Sequence, residues 1–207
     1  MPDALRSRFI TFEGIDGAGK STQIDAVALA LQQRGVAVVR TREPGGTALG
    51  EALRSAMLGQ PMDPLTETLL MFAARREHVL SVIKPALAGA RWVLCDRFSD
   101  ASYAYQGAGR GVAAAQLDAL VEWIHPGLAP DLTVLVDIDP VQAQRRRAGA
   151  RASDRFETES LGFFERVRLA YLARANAQAD RFLVVDGNAP VAHLTSIILQ
   201  RLAPWLS

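Results

Sequence analysis

The sequence predicts a doubly wound α/β fold, in which helices cover both faces of a five-stranded parallel sheet. Short apolar runs alternate along the chain with longer stretches of helical periodicity. These runs are continuously apolar, as is typical of parallel strands that are buried on both faces. No internal repeat or low-complexity linker divides the chain. We therefore expect one domain over residues 1–207.

Five strands are expected, at residues 9–12, 36–41, 92–96, 132–137 and 182–186. The expected helices comprise residues 20–34, 65–87, 113–124 and 191–202. The first helix has apolar residues at helical spacing, Ile24, Val27 and Leu31, and Gly35 is a typical helix stop. The second helix contains Pro85, which predicts a kink near its end.

The composition excludes several functional classes. The 23 basic and 22 acidic residues nearly cancel, which argues against a dedicated nucleic-acid binder. The single cysteine, Cys95, rules out an internal disulfide, and the three histidines lack metal-site spacing. No run reaches the roughly 18 apolar residues of a membrane helix, and the first eight residues do not resemble a signal peptide. We expect a cytoplasmic protein that binds neither nucleic acid nor membranes.

A glycine-rich segment between the first strand and the first helix matches the pattern G-x-x-x-x-G-K-[ST]. Its expected phosphate-binding residues are Gly14, Ile15, Asp16, Gly17, Ala18, Gly19, Lys20, Ser21 and Thr22. Glycines let consecutive backbone N–H groups turn inward, and the helix N-terminus adds positive potential. Lys20, one of only two lysines, would contact the β- and γ-phosphates, and Ser21 would bind Mg²⁺. The loop indicates a nucleoside triphosphate without specifying the reaction.

Residues beyond the loop indicate a second, anionic substrate. Arg42 follows the second strand, and Asp96 and Arg97 end the third. Ligands of open α/β sheets bind at the carboxyl ends of the strands, so both arginines could meet a phosphate. Asp96 is suited to Mg²⁺ or its bound waters. The alternative for Arg42 is an ordinary surface turn.

Two further segments contain side chains suited to a planar base. Phe72 and Arg76 lie four residues apart on one helix face, with Arg75 as a competing candidate. The alternative is a core phenylalanine beside a solvated arginine. The segment 102–111 offers polar groups for a base edge at Ser102, Tyr105 and Gln106, although a glycine-rich surface loop is an alternative explanation.

A cluster of arginines predicts a short lid at about residues 145–157. It contains Arg145, Arg146, Arg147, Arg151 and Arg155. Phosphoryl transfer spreads negative charge over equatorial oxygens, which a closing guanidinium stabilises. A charged helix face is the alternative for any single one of these arginines.

In combination, these motifs resemble the thymidylate kinase family. They are residues 12–22 (FEGIDGAGKST), 41–46 (TREPGG), 96–97 (DR), 105–111 (YQGAGRG) and 154–157 (DRFE), in family order. The resemblance implies transfer of a phosphoryl group from ATP to dTMP, which gives ADP and dTDP. It also implies Mg²⁺ as the cofactor, a cytoplasmic location and a homodimer.

The resemblance implies roles around the sugar and phosphate of dTMP. Asp16 would contact the 3′-hydroxyl, and Arg42 and Arg97 would hold the acceptor phosphate. Tyr105 would crowd the 2′ position and disfavour ribonucleotides. The roles implied at the base are stacking for Phe72 and reading of the base edge for Arg76, Ser102 and Gln106.

The expected catalytic residues are Lys20, Asp16, Arg97 and an arginine of the lid. Some members of the family carry an arginine in the loop, where this sequence has Gly17. The transition-state arginine is therefore expected from the lid, with Arg151 as first choice and Arg147 as second.

Three alternatives compete with this interpretation. The nearest is another P-loop nucleotide or deoxynucleoside kinase. A GTP-binding switch protein is disfavoured because the sequence has no N-K-x-D signature and no D-x-x-G element after a strand. A binding protein without catalysis is disfavoured by the intact Lys20, Ser21 and Asp96.

Overall fold

The computed structural model describes residues 6–147 and 159–206. Within them, five parallel strands form one sheet in the order β2-β3-β1-β4-β5. The strands are β1 (Phe9–Glu13), β2 (Val38–Arg42), β3 (Trp92–Asp96), β4 (Leu132–Asp137) and β5 (Phe182–Asp186). The predicted doubly wound parallel sheet is confirmed, with each strand within two residues of its expected bounds.

The helices of the described residues surround this sheet. They are α1 (Lys20–Gln32), α2 (Ala48–Gly59), α3 (Pro64–His78), α4 (Lys84–Ala88), α5 (Ser99–Ser102), α6 (Ala114–Ile124), α7 (Pro140–Arg147), α8 (Leu161–Ala177) and α9 (Val191–Leu202). A π-helical turn, Tyr103–Gly109, extends α5, and a 3₁₀ turn, Ala203–Trp205, follows α9. The sequence patterns did not predict α2, α5, α7 or α8.

The long helix expected at 65–87 is divided by a π-helical turn, Val79–Ile83, between α3 and α4. Pro85 has no N–H and its ring clashes with the preceding turn, so a locally widened helix accommodates it. The irregularity therefore lies just before Pro85. At the other end, Asp63 caps α3 by accepting hydrogen bonds from Leu65 N and Thr66 N at 2.9 and 3.1 Å.

Alternate residues of β1 enter two apolar clusters. Ile10 and Phe12 belong to a large cluster with Val27 of α1, whereas Phe9 belongs to a smaller cluster with Val79. Helices therefore cover both faces of the sheet, as its continuously apolar strands require.

Arg8 and Trp205, near the two ends of the described residues, pack at the start of β3. The ring of Trp205 lies 6.3 Å from that of Trp92, and the guanidinium of Arg8 lies 4.4 Å from the Trp205 ring. No helix in the described part of the chain is long and apolar enough to cross a membrane.

The register of the sheet positions the functional loops. In the ladders, Phe12 of β1 pairs with Asp96 of β3 on one side and with Val134 of β4 on the other. The segment that follows β1 therefore lies directly beside the Asp96–Arg97 segment that follows β3.

Candidate functional site

The glycine-rich loop connects β1 to the first residue of α1, as the sequence predicts. Gly17 has a φ of +87°, and a Cβ there would lie 2.5 Å from the carbonyl oxygen of Ala143 on α7. Glycine is required at this position both for its backbone conformation and for the close approach of α7.

The ammonium group of Lys20 lies against the loop. Its Nζ donates to the carbonyl oxygens of Gly14 and Ile15 at 3.2 and 3.3 Å, and it lies 4.0 Å from Asp96 Oδ1. Burial lowers the pKa of Lys20, and the positive charge of Arg97 lowers it further. The field of a polyphosphate would offset both effects, so the site favours an anion beside this lysine.

Ser21 and Asp96 bring two oxygen ligands together. Ser21 Oγ donates to Asp96 Oδ2 at 3.2 Å, and Asp96 Oδ1 is buried without a hydrogen-bond partner among the described residues. A hydroxyl and a carboxylate are suitable ligands for Mg²⁺. Over residues 6–147 and 159–206, no cluster of three or more His, Cys, Asp or Glu could hold a metal, so phosphate and water oxygens would complete the coordination.

A polar cleft, termed the loop cleft, opens over the loop. Its lining residues are Asp16, Gly17, Gly19, Lys20, Ser21, Thr22, Arg42, Glu43, Arg54, Asp96, Arg97, Arg146 and Arg147. Six of these side chains are cationic and three are acidic, which is the balance expected for a polyphosphate site.

Two arginines at the end of α7 border the loop cleft. Arg147 Nη1 donates to the carbonyl oxygen of Asp16 at 2.8 Å, and its guanidinium lies 4.5 Å from the Phe164 ring. Arg146 Nη1 donates to the carbonyl oxygen of Gly187 at 2.9 Å. Residues 145–147, expected to be part of the lid, are thus the last turn of α7. The rest of the expected lid, 148–157 with Arg151, Asp154 and Arg155, lies outside the described residues.

A second cleft adjoins the first. Its lining residues are Asp16, Glu43, Pro44, Arg54, Leu58, Met71, Arg75, Arg97, Phe98, Ala101, Ser102, Tyr105 and Gln106. Apolar walls with a few polar groups are typical of a site for a small organic ligand. The two clefts share Asp16, Glu43, Arg54 and Arg97, so they meet at one point.

Arg97 lies where the clefts meet. Its Nη2 donates to Asp16 Oδ1 and to the Tyr105 hydroxyl, each at 3.0 Å, and its Nη1 donates to the Tyr171 hydroxyl at 3.1 Å. Burial alone would raise the pKa of Asp16, but the charges of Arg97 and Lys20 hold that pKa well below its usual range. The φ of Arg97 is +70°, a strained conformation that these contacts retain.

The buried carboxyl group of Glu13 binds two neighbours of Arg97, Phe98 and Tyr171. Its Oε2 accepts from the Tyr171 hydroxyl and its Oε1 from Phe98 N, each at 2.7 Å. Burial and the nearby charge of Asp100 raise the pKa of Glu13 to about 7, although Arg97 and the two hydrogen bonds oppose the shift. The sequence analysis did not single out Glu13, since its burial is visible only in the fold.

On α3 two expected residues, Phe72 and Arg76, are not among those that line the second cleft. Successive residues of an α-helix are rotated by about 100°, so Arg75 and Arg76 point in different directions. Arg75 lines the second cleft, whereas Arg76 Nη1 donates to the carbonyl oxygen of Ile124 at 2.7 Å. Phe72 is only 1% exposed and lies 4.7 Å beneath the Arg75 guanidinium. The cleft wall at this point is formed by Met71.

Arg75 is held by buried partners. Its Nε donates to Glu43 Oε2 at 2.7 Å, and its Nη2 donates to Ser102 Oγ and the Phe98 carbonyl oxygen at 3.0 and 3.1 Å. His78 Nδ1 lies 2.9 Å from the other oxygen of Glu43. Arg75 Nη1 is buried without a partner among the described residues, as expected where a ligand acceptor completes the site.

The remaining expected residues divide between the clefts. Ser102, Tyr105 and Gln106 line the second cleft. Arg42 lines the loop cleft, half exposed, with its Nη2 donating to Glu51 Oε2 at 2.8 Å. Sequence reasoning missed Arg54, which lines both clefts from α2 and donates to the carbonyl oxygen of Pro44 at 3.2 Å.

The chain is similar in sequence and in structure to several known proteins. The family model described as Thymidylate kinase matches residues 12–198. The thymidylate kinase of Methylobacillus flagellatus is 56% identical over 187 residues, which cover 90% of this chain and 92% of that protein. The thymidylate kinase of Cupriavidus necator is 55% identical, with 92% of this chain and 95% of that protein covered. A crystal structure of thymidylate kinase from Ehrlichia chaffeensis superposes with a TM-score of 0.79 at 34% identity, with 95% of this chain and 98% of that one covered.

Proposed function

The chain belongs to the thymidylate kinase family, and from that membership we propose which of its side chains bind ATP, bind dTMP and act on the transferred phosphoryl group. The chain phosphorylates dTMP with ATP as the donor. The observation that best supports the residue roles is the meeting of the two clefts at Asp16 and Arg97. In-line transfer requires the γ-phosphoryl group and the acceptor phosphate to meet at one point.

ATP occupies the loop cleft in this proposal. The inward N–H groups of residues 14–22 and the N-terminus of α1 hold the phosphates. Lys20 exchanges its bonds to the carbonyl oxygens of Gly14 and Ile15 for bonds to the β- and γ-phosphates. Arg147 already lies at the loop and is available to neutralise charge in the transition state; Arg151 remains the other candidate.

Ser21 Oγ and Asp96 Oδ1 would hold Mg²⁺ beside these phosphates. The unpartnered, buried Oδ1 supports this assignment. When bound, the cation neutralises part of the negative charge that the phosphoryl oxygens carry.

The phosphate and sugar of dTMP lie where the clefts meet. Arg97 and Arg54, with Arg42 at the margin, hold the acceptor phosphate. Asp16 stays ionised because of its low pKa and accepts a hydrogen bond from the 3′-hydroxyl group. Tyr105, fixed by its hydrogen bond to Asp16 Oδ2 at 3.0 Å, crowds the 2′ position.

The base of dTMP enters the second cleft. Arg75 takes the reading role that was expected of Arg76, and Met71 packs against the base in place of the stacking that was expected of Phe72. Ser102 and Gln106 remain the proposed partners of the base edge. Leu58 and Pro44 add apolar surface suited to the 5-methyl group.

The reaction needs no general base. The second pKa of a phosphate monoester is about 6, so the acceptor is already largely dianionic at neutral pH. An acceptor oxygen forms a bond to the γ-phosphorus while the bond to the β–γ bridging oxygen breaks, and the electron pair leaves with ADP. The protein contributes positioning and charge stabilisation.

We also propose a homodimer. Leu65, Leu69, Leu80 and Trp123 belong to α3, the π-helical turn after it and α6, and they are 43%, 49%, 45% and 77% exposed. The hydrogen bond from Arg76 to the carbonyl oxygen of Ile124 joins α3 to α6 along this surface. These four residues, termed the α3–α6 face, would pack against a second copy.

A cytoplasmic location, a single domain over residues 1–207 and a lid at about 145–157 complete the proposal. The single, buried Cys95 supports a reducing compartment, since the chain has no second cysteine for an internal disulfide. Continuous pairing through all five strands supports one domain.

The substrate assignment is tested by measuring ADP release from ATP with dTMP, dUMP, AMP, CMP and thymidine supplied in turn. We expect the highest kcat/KM with dTMP. Lys20→Ala should lower kcat by about 10²–10³-fold, because it removes a charge from the developing transition state. Lys84→Ala, at the other, exposed lysine, should leave kcat unchanged. Preference for another acceptor would assign the chain to a different nucleotide kinase activity.

A further inference from the structure

The orientation of the Gln106 amide is determined by a buried carboxylate. Gln106 Nε2 donates to Glu67 Oε1 at 2.9 Å, and both side chains are buried. A carboxylate can only accept hydrogen bonds, so the NH₂ end of the amide must face Glu67. The other end, Oε1, is an acceptor on a residue that lines the second cleft.

The second carboxylate oxygen of Glu67 faces a cation. Its Oε2 lies 3.6 Å from Arg110 Nε, and Arg110 Nη1 lies 2.6 Å from Glu159 Oε1. Glu67 itself is fully buried on α3, one helical turn before Met71 of the cleft wall. Arg110 therefore lies at the carboxylate oxygen that Gln106 does not occupy.

A second polar group in the cleft is also oriented by its partner. Ser102 Oγ accepts from Arg75 Nη2 at 3.0 Å, so the hydroxyl proton of Ser102 is left to donate. The cleft therefore presents a donor at Ser102 and an acceptor at Gln106. A thymine imide carries the complementary pair, a carbonyl oxygen at C4 and an N–H at N3. Cytosine carries the reverse pair, an amino group at C4 and an unprotonated N3.

We propose that Glu67 is a positioning residue for base selection: by binding Gln106 Nε2, it directs Gln106 Oε1 to the cleft and makes the site select an imide over an amino-pyrimidine. The inference rests on the proposed binding of the base in the second cleft. Glu67 does not touch the substrate; it acts through Gln106.

Glu67→Gln tests this inference, because a glutamine can donate as well as accept and so permits either orientation of Gln106. We expect the ratio of kcat/KM for dTMP to that for dCMP to fall about tenfold or more, which is the scale of one mismatched hydrogen bond. The change should appear in KM for dTMP and in new activity with dCMP, while KM for ATP stays constant. An unchanged ratio in a folded Glu67→Gln enzyme would overturn the inference.

Glu159→Gln is the matched control. It breaks the outer ion pair of Arg110 and leaves the contact between Glu67 and Gln106 in place. We expect its dTMP/dCMP ratio to equal that of the wild type. A ratio that falls equally in Glu159→Gln would attribute the effect to the ion pairs and contradict the positioning role.

Gln106→Leu separates this inference from the proposed function. A dTMP KM that Gln106→Leu leaves unchanged would show that the base does not lie at Gln106. A raised KM for dTMP in Gln106→Leu, together with an unchanged dTMP/dCMP ratio of kcat/KM in Glu67→Gln, would reject the positioning role of Glu67. The proposed binding of the base at Gln106 would then still stand.

A measurement on the wild type covers the case in which Glu67→Gln does not fold. dUMP and dCMP both lack the 5-methyl group and differ only at C4 and N3, and we expect the wild-type kcat/KM for dCMP to be about tenfold lower or more than that for dUMP. Equal values for the two substrates would show that the cleft does not select an imide and would overturn the inference.

Discussion

Arg75 and Arg76 differ by one position, yet their surroundings differ completely. Arg75 is buried between Glu43 and Ser102, whereas Arg76 reaches the end of α6. Sequence spacing alone places both near the face of Phe72, and only the packing of α3 shows which guanidinium enters the cleft. Arg75 therefore lines the second cleft, and Arg76 does not.

Arg75→Lys should raise KM for dTMP about tenfold, because lysine keeps the charge but loses the planar fork of donors. The effect on kcat should be smaller, since the base lies away from the reacting phosphates. Arg76→Lys is the matched control and should leave both constants unchanged. Steady-state kinetics with varied dTMP checks both variants; a larger KM effect at Arg76 would restore the original assignment.

Glu13 should make the protein less stable as pH rises. Its pKa is about 7 in the folded chain and 4.5 in the unfolded chain, so the folded state binds the additional proton between these values. Stability from this group is complete below pH 4.5 and is lost as pH approaches 7, a change of about 3 kcal/mol. Glu13→Gln removes the titrating group and should flatten this slope.

The measurement is urea unfolding of the wild type and Glu13→Gln at several pH values from 5 to 8. As pH increases, the unfolding free energy of the wild type should fall relative to that of Glu13→Gln. A difference that is constant with pH would show that Glu13 is ionised in both states.

At the level of elements, the strands were predictable because each is a short apolar run between turn residues. Helix α8 had a comparable signal, since Phe163, Val167, Tyr171 and Ala175 recur every four residues and are buried. Helix α2 gave almost none, because only Gly50 and Met57 are buried. This difference explains why Arg54, which α2 positions, could not be found from the sequence.

The glycines of residues 102–111 were misleading for a different reason. They resemble a surface loop, but the segment is α5 with its π-helical extension. A Cβ at Gly109 would lie 2.6 Å from the Phe163 ring, so glycine here permits the close packing of α8. Composition alone cannot distinguish a glycine needed for flexibility from one needed for contact.

The contact between the loop and α7 predicts a difference between two loop glycines. Gly17 and Gly19 both have positive φ, +87° and +97°, but of the two only Gly17 has described atoms within 4 Å of the point that an added methyl group would occupy. Without nucleotide, Gly17→Ala should therefore lower the unfolding free energy by about 1–3 kcal/mol more than Gly19→Ala. Urea unfolding of both variants measures this; equal losses would mean that α7 moves aside at no cost.

For the whole molecule, the sequence could predict the order of the motifs and the parallel sheet. It could not predict which apolar helix surfaces stay exposed to solvent. Resemblance alone supported a homodimer, because an apolar helix position can equally belong to the core. The fold shows that Leu65, Leu69, Leu80 and Trp123 remain exposed. Exposure is a property of the complete arrangement of helices, and no local pattern determines it.

Leu69→Glu should convert a dimer to a monomer, because a carboxylate buried in an apolar interface is strongly unfavourable. Sedimentation velocity at micromolar concentration measures the change. Leu29→Glu is the matched control, since Leu29 is 57% exposed on α1 and should leave association unaffected. A monomeric wild type would remove the basis of the dimer proposal.

The three tryptophans are fluorescent reporters of different parts of the molecule. Trp123 lies on the α3–α6 face, whereas Trp92 is buried in β3 with Trp205 against it. A blue shift from Trp123 would accompany subunit association, and a red shift from Trp92 would accompany loss of the sheet. Intrinsic emission can therefore distinguish dissociation from denaturation without any attached dye.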